Sequence, residues 1–230
     1  IDSAEHTLDI AMYSFRDEGI YDALGRAVER GVTVRFIFHK ADDHRRDPEG
    51  SMSARIEDLG INVRYVNKIM HHKYVIVDGP RNELAAAKRA VISSGSGNWS
   101  YSAGTRYDEN TVFVYHQPEL ALRFQQEFNL LWNNSRDFVW RDDLPVHKHT
   151  EISDEMIPDF ASVDAAFTSD NFKLMNSSRW GRGFKIGAGR NAVANRLVEL
   201  IESAQDSILI ASGHLRSRPV SEALLEKYRE

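Results

Sequence analysis

The sequence predicts an α/β fold in which a mostly buried sheet packs between helices. Three observations predict it. Apolar residues alternate with period two in short runs, apolar residues at helical spacing fill the stretches between those runs, and glycines stand where the helices would end. The chain has 230 residues, which at roughly 100–200 residues per domain means one large domain or two small ones.

Leu8, Ile10 and Met12 alternate with Asp9, Ala11 and Tyr13 and read as a strand. Ile20, Tyr21, Leu24, Ala27 and Val28 recur at helical spacing, and Gly31 supplies the left-handed residue that ends such a helix. Val32–His39 is β-branched and aromatic, a second strand. After a polar stretch, 40–50, a short helix is expected near Ser53–Leu59 with Gly60 behind it, then a strand over Ile61–Val66. Tyr74–Val77 and Ala90–Ser93 read as two strands joined by a polar connection, and Thr111–Tyr115 as another. Pro118 opens a helix, because its fixed φ suits the first helical position. The apolar stripe of that helix, Leu120, Phe124, Phe128, Leu131 and Trp132, reads as core. Residues 136–165 read as a linker, Asn191–Ala204 as a helix, Ser207–Ala211 as a strand, and a last helix follows Pro219.

Composition removes several classes. The chain is 42% hydrophobic, near the globular average, which argues against wholesale disorder. No run approaches the ~18 apolar residues of a membrane helix. Without cysteine there is no disulfide framework, zinc–thiolate site or cysteine nucleophile, and the compartment stays open between cytoplasmic and exported. A net charge of −5 argues against a protein coated in positive charge but allows a local basic groove. The chain opens on Ile1 without a signal peptide, and an upstream segment is expected.

An internal repeat runs at an offset of 200 residues. Ile1, Ser3, Ala4, Ile10, Ala11, Arg16, Ala23 and Leu24 meet Ile201, Ser203, Ala204, Ile210, Ala211, Arg216, Ala223 and Leu224. The repeat predicts that residue 1 lies inside a helix and that a second unit begins near residue 166. It would stop about 40 residues short of its copy of the segment around residue 71. The expected organisation is a first domain over 1–135, the linker over 136–165, and a truncated second repeat over 166–230.

Chemistry concentrates in His71-His72-Lys73-Tyr74-Val75-Ile76-Val77-Asp78, Gly95-Ser96-Gly97-Asn98 and Asp108-Glu109-Asn110. Strand residues i and i+2 share a face, so His71 and Lys73 point the same way and His72 the other, as a structural residue. An imidazole can attack phosphorus while an ammonium and the neutral donors Asn98 and Ser96 hold the non-bridging oxygens. A carboxylate such as Glu109 could bind the other imidazole nitrogen and fix its tautomer. Adjacent strand histidines diverge and no third ligand is indicated, so no metal site is expected.

These residues resemble the signature of the phospholipase D superfamily, His-x-Lys-x4-Asp-x6-Gly-Ser-x-Asn with a Glu about eleven residues further on. The likeness covers roughly residues 1–134, and 191–230 as the start of a second repeat. It implies a sandwich with a mostly central mixed sheet flanked by helices. It also implies a metal-independent phosphodiesterase needing no cofactor. His71 would be the nucleophile of a phosphohistidine intermediate, Lys73 and Asn98 would bind phosphate oxygens with Ser96 in support, Glu109 would orient His71, and Asp78 would be a structural charge partner. A second histidine, from a second copy of the motif, would protonate the leaving group and later activate water.

Two departures stand out. Asp78 and Gly95 are separated by residues 79–94, longer than the family pattern, with the surplus expected at a hairpin tip over Arg81–Ala90. No second His-x-Lys motif with a downstream Asp and Gly-Ser-x-Asn is present: His39-Lys40 and His147-Lys148-His149 lack those partners. The second catalytic half would come from a C-terminal segment or from a homodimer mate.

The substrate is a phosphodiester, with DNA or RNA favoured and phospholipid possible. Asn98-Trp99-Ser100 and Arg106–Asn110 are similar to the nuclease-like branch. Lys173, Arg179, Arg182, Lys185 and Arg190, interleaved with Phe172, Trp180 and Phe184, could track a nucleic-acid backbone or form an ordinary loop anchored by aromatics. The alternatives are a phospholipase D or cardiolipin-synthase-like phosphatidyltransferase, and, from another class, a non-catalytic scaffold. Gly187-Ala188-Gly189 lacks a preceding strand and a third glycine and reads as the approach to a helix rather than a dinucleotide fingerprint.

Overall fold

The computed structural model describes residues 1–158, 163–178, 181–187, 189 and 191–229. It divides into two units, one of residues 1–164 with 175–184 and one of 165–174 with 185–230. In the first unit, strands β1 (Thr7–Met12), β2 (Thr33–Phe38), β3 (Val63–Tyr65), β4 (Lys73–Val77), β5 (Val91–Gly95), β6 (Thr111–Tyr115) and β7 (Arg136–Asp137) form one sheet in the order β6-β5-β4-β1-β2-β3-β7. Strands β1, β2 and β3 are parallel, whereas β4, β5, β6 and β7 are each antiparallel to their neighbours. The sheet is therefore mixed, and helices flank it: the expected fold class is the observed one.

Both faces of β1 are buried, as parallel central strands require. Leu8, Ile10 and Met12 join Phe36, Phe38, Val75 and Val77 under α1 (Glu18–Glu29) and α3 (Met52–Asp58). Helix α1 starts where the Asp17 carboxylate accepts from the Ile20 amide at 2.9 Å, and it stops because Gly31 takes φ +86°. A short helix α2 (Ala41–His44) interrupts the polar stretch after β2. The other face packs on α5 (Pro118–Asn133), whose Phe124 and Phe128 rings lie 5.2 and 6.4 Å from Tyr74.

That second face carries a buried charge cluster. Asp9 accepts from Arg35 Nε at 2.7 Å, from Arg81 Nη2 at 2.6 Å and from Gln125 Nε2 at 2.7 Å. Burial alone would raise the Asp9 carboxyl, but Arg35 and Arg81 hold it well below the ordinary carboxylate range. This corrects the expectation of a solvent-borne hairpin tip over 81–90. Arg81 is fully buried, and the 3₁₀ turn Leu84–Lys88 buries Ala86 and Ala87. The surplus does fall between the antiparallel β4 and β5, and within it Arg81, Ala86, Ala87 and Ala90 serve the core while residues 82–85 stay exposed.

Parts of the expected linker, 136–138 and 149–152, likewise pack on the first unit. β7 pairs with β3, and Phe138 enters the main core. Residues 149–152 run along α5: Thr150 N donates to Arg81 O at 2.6 Å, Asn129 Nδ2 donates to Thr150 O at 3.2 Å, and Ile152 is buried. Strand β8 (Phe172–Ser177) pairs with β9 (Gly181–Ile186), a hairpin the sequence pattern did not announce.

The second unit holds α6 (Ala192–Ser203) and α7 (Arg218–Arg229), packed through Ile201, Val220 and Ala223. The strand expected over Ser207–Ala211 is not formed: the segment is irregular and Leu209 is 95% exposed. An apolar β-branched run becomes a strand only where another strand receives its hydrogen bonds, and no described strand pairs with this one. Ile1–Glu5, expected to continue a helix, is a turn closed by Ala4 N donating to Ile1 O at 3.0 Å. Among the described residues no helix is long and apolar enough to cross a membrane.

Candidate active site

The register brings several strand termini to one edge of the sheet. Met12 pairs with Phe38 and with Lys73, so the end of β1, the end of β2 and the start of β4 meet there. Tyr74 pairs with Ser94 and Gly95 with Thr111, which adds the end of β5 and the start of β6. The Gly95 position has no room for a side chain, because an added Cβ would strike the Asn110 carbonyl. The loop after Gly95 is tied back to β1 by Trp99 N donating to Ser14 O at 3.1 Å and Arg16 N donating to Trp99 O at 2.7 Å. Ser100 then caps α4 (Tyr101–Thr105), its hydroxyl accepting from the Ala103 amide.

Lys73, Asn98 and Glu109 line a single cavity of about 160 Å³, together with Gly97, Trp99 and Thr111. Lys73 is buried, and its ammonium donates to His71 Nδ1 at 2.8 Å and to the His71 carbonyl at 2.9 Å. Burial lowers the Lys73 pKa, against the pull of Glu109. Burial, and after it the Lys73 charge and the neighbouring His39 and His72, hold the His71 imidazole below its ordinary 6.5. The buried Oδ1 of Asn98 has no hydrogen-bond partner. A half-turn of an amide exchanges oxygen for NH₂, so this position can present either an acceptor or a donor to a ligand in the cavity.

The other expected site residues fall elsewhere. Ser96 does not line the cavity, and its hydroxyl accepts from the Asn110 amide at 3.0 Å, closing the β5–β6 turn. Glu109 shares the cavity with Lys73, but among the described residues no hydrogen bond joins it to His71, whose ring contacts are Lys73 and Tyr13. Asp78 stands at the far end of β4, where it accepts from the amides of Glu5, His6 and Thr7 at 2.7–3.2 Å. Its partners are backbone dipoles rather than a charge, and the four residues after Lys73 span the whole strand. His72 turns away to Glu127 Oε1 at 3.0 Å, as the alternation predicts. Tyr13 and His39, which sequence reasoning passed over, pack at the site: Tyr13 lies 4.3 Å from the His71 ring and stacks on His39 at 4.8 Å. The signal that could have found them is register, since both stand one step beyond a paired strand end.

The basic aromatic stretch resolves in part. Arg179, Trp180 and Arg190 lie outside the described residues, as does Ala188. Phe184 is buried, and Asn67 grips its backbone through Phe184 N donating at 2.7 Å and Phe184 O accepting at 2.9 Å. It anchors a loop and offers no open face for stacking a base.

An ammonium, an amide and a carboxylate around a small cavity, with an imidazole bonded to the ammonium, define an α/β protein with a site suited to a phosphate-sized oxyanion. The chain belongs to the phospholipase D-like family: the family model described as "Cardiolipin synthase, PLD-like domain" matches residues 1–132. Relatives include the mitochondrial cardiolipin hydrolases of Chlamydomonas reinhardtii, 34% identical over 57% of this chain and 53% of that protein, and of Danio rerio, 33% identical over 58% and 54%. A phospholipase D of Rickettsia conorii is 29% identical over 56% of this chain and 58% of that protein. Among solved structures, the phospholipase D family member Nuc of Salmonella typhimurium is 31% identical, covering 59% of this chain and 84% of that one at a TM-score of 0.48. The chain spans about half the length of the curated relatives it matches.

Proposed function

We propose that this chain carries the nucleophilic half of a metal-independent phosphodiesterase. The observation that carries the reading is the placement of Lys73, Asn98 and Glu109 around one cavity, with His71 bonded to the Lys73 ammonium at 2.8 Å. An imidazole nitrogen of His71 attacks phosphorus, a P–N bond forms, and the P–O bond to the leaving alcohol breaks as a second imidazole protonates that oxygen. Water, deprotonated by the same second imidazole, then attacks the phosphohistidine. The P–N bond breaks, and a phosphomonoester and free His71 remain. Lys73 and Asn98 hold the non-bridging oxygens as charge develops on them. Glu109 keeps Lys73 protonated by its field. The second imidazole comes from a second copy of this unit, either further along the chain or in a homodimer mate.

Two substrate classes fit this chemistry. The likeness of Asn98-Trp99-Ser100 and Arg106–Asn110 to the nuclease-like branch favours nucleic acid. The mitochondrial cardiolipin hydrolases among the relatives favour a phospholipid, and the burial of Phe184 removes one expected stacking platform.

The test is a side-by-side assay in EDTA of single-stranded DNA, duplex DNA, RNA, and vesicles of phosphatidylcholine and of cardiolipin. We expect cleavage of one class, lost in His71→Ala. Wild-type turnover in His71→Ala would overturn the assignment of the nucleophile, and activity that EDTA removes would overturn the metal-free mechanism.

A further inference from the structure

The imidazole of His71 is poorly restrained by its own backbone. It hangs from coil ahead of β4, its residue is exposed, and a histidine ring turns about a broad, shallow torsion. Among the described residues its ring is hydrogen-bonded to Lys73 and packs on the ring of Tyr13. In the proposed reaction Lys73 leaves His71 for a phosphate oxygen, a better acceptor because it is anionic. From that moment the Tyr13 ring contact is what steadies the imidazole.

We propose that Tyr13 is a positioning residue, a clamp whose ring holds the His71 imidazole at the angle for attack while His39 holds Tyr13. The inference rests on the phosphodiesterase reading of this site. Register is its foundation. Met12 pairs with Phe38 on one side and with Lys73 on the other, so the next residue of β1 necessarily falls between His39 and the His71–His72 segment. The Tyr13 ring meets the His71 ring at 4.3 Å with a tilt of 51°, close enough to block rotation of the imidazole. On the other contact, the half-buried His39 stacks on Tyr13 at 4.8 Å and 12°, and the Met70 amide donates to its Nδ1 at 3.5 Å. The ammonium groups of Lys73 and Lys40 stand 5.3 and 5.8 Å from the Tyr13 ring centre, attracted to its π-face. The clamp works by shape and not through the phenol hydroxyl, so Phe should replace Tyr13 and an aliphatic residue should not.

Two readouts test it on the full chain. By NMR, the His71 Cε1–H resonance, assigned by its absence in His71→Gln, should lie upfield of free histidine in the wild type and in Tyr13→Phe. It should return toward the free position in Tyr13→Leu. A resonance at the free position in the wild type overturns the clamp, and this arm needs no turnover. With bis-para-nitrophenyl phosphate as probe, Tyr13→Phe should keep kcat within about threefold. Tyr13→Leu, folded by circular dichroism, should lose on the order of a hundredfold in kcat, with KM held within about twofold, as a displaced nucleophile does. Wild-type kcat in Tyr13→Leu overturns the clamp and leaves the nucleophile assignment standing. A loss in Tyr13→Phe as deep as that of His71→Ala overturns it in favour of the hydroxyl. Turnover that survives His71→Ala instead overturns His71 as the nucleophile, and the ring shift reports the contact independently.

Discussion

At His71 the resting hydrogen bond and the proposed reaction make different demands on one ring. The Lys73 ammonium stands 2.8 Å from Nδ1 and 3.4 Å from Nε2, holding the ring by its nitrogens. Phosphate binding draws the ammonium away and frees a nitrogen lone pair. We therefore expect Lys73→Met to lower kcat by about two to three orders of magnitude, the scale of losing one preorganised charge in a transition state. Steady-state kinetics with an unchanged melting temperature would check it. The same two groups set the pH profile. His71 must be neutral to attack and its pKa is lowered, so kcat/KM should rise with pH through a midpoint below 6.5. Lys73 must be charged and its pKa is also lowered, so the basic limb should fall below 10.5. Asp78 belongs to a different account. Replacing it with Ala leaves three amides at the start of β1 without their acceptor, and we expect a loss of about 3 kcal/mol in denaturant unfolding with kcat nearly unchanged. The convergence of Lys73, Asn98 and Glu109 on one cavity was legible in the sequence because spacing along a strand and a hairpin fixes which side chains meet. The hydrogen bond that the Ser96 hydroxyl accepts from Asn110, across the turn, was not, because spacing carries no trace of it.

Among the elements, the central strands could be read from alternation alone, since each has a neighbour on both sides to satisfy its backbone. Residues 207–211 carry the same kind of pattern without such a neighbour and stay irregular. Arg81 was read as part of a hairpin tip and the strap at 147–152 as part of a linker, because spacing alone does not show what a buried carboxylate recruits. Here a buried Asp9 draws two guanidinium groups inward, and the strap closes over them, with His149 Nδ1 3.0 Å from Arg35 Nη1. The strap makes stability depend on pH in one direction. Burial first, and then the charges of Arg81 and Arg35, lower the pKa of His147; burial and Arg35 lower that of His149. Unfolded, both take a proton near 6.5; folded, only at lower pH. Between those limits the unfolded chain binds more protons, so the contribution is complete above about pH 6.5 and declines as pH falls below it. His39, His44 and His71 carry the same sign. The melting temperature should therefore drop between about pH 7 and 5, and the double variant His147→Gln, His149→Gln should flatten part of that drop. An equal slope in the double variant would place the titration elsewhere.

For the molecule as a whole, the unresolved demand of the proposed mechanism is a second imidazole. The offset repeat favoured a second unit along the same chain, yet residues 207–211, the counterpart of β1, form no strand here. The sheet itself offers another route. β6 is an edge strand whose Val112, Phe113 and Tyr115 are 57%, 60% and 55% exposed, and an edge with apolar side chains is a template for a second chain. β6 starts two residues after Glu109, so a copy packed against these side chains would stand beside the cavity. A two-fold axis at the cavity end of the strands would make the contact reciprocal and set the two cavities face to face. We expect activity per chain to fall on dilution in step with dissociation of a dimer followed by sedimentation. We also expect Phe113→Lys to lower both the dimer fraction and kcat/KM by at least about tenfold while the melting temperature of the monomer holds. A monomer whose activity per chain is independent of concentration would put the second imidazole on the same chain, and the β6 edge would then be an exposed strand with no part in the chemistry.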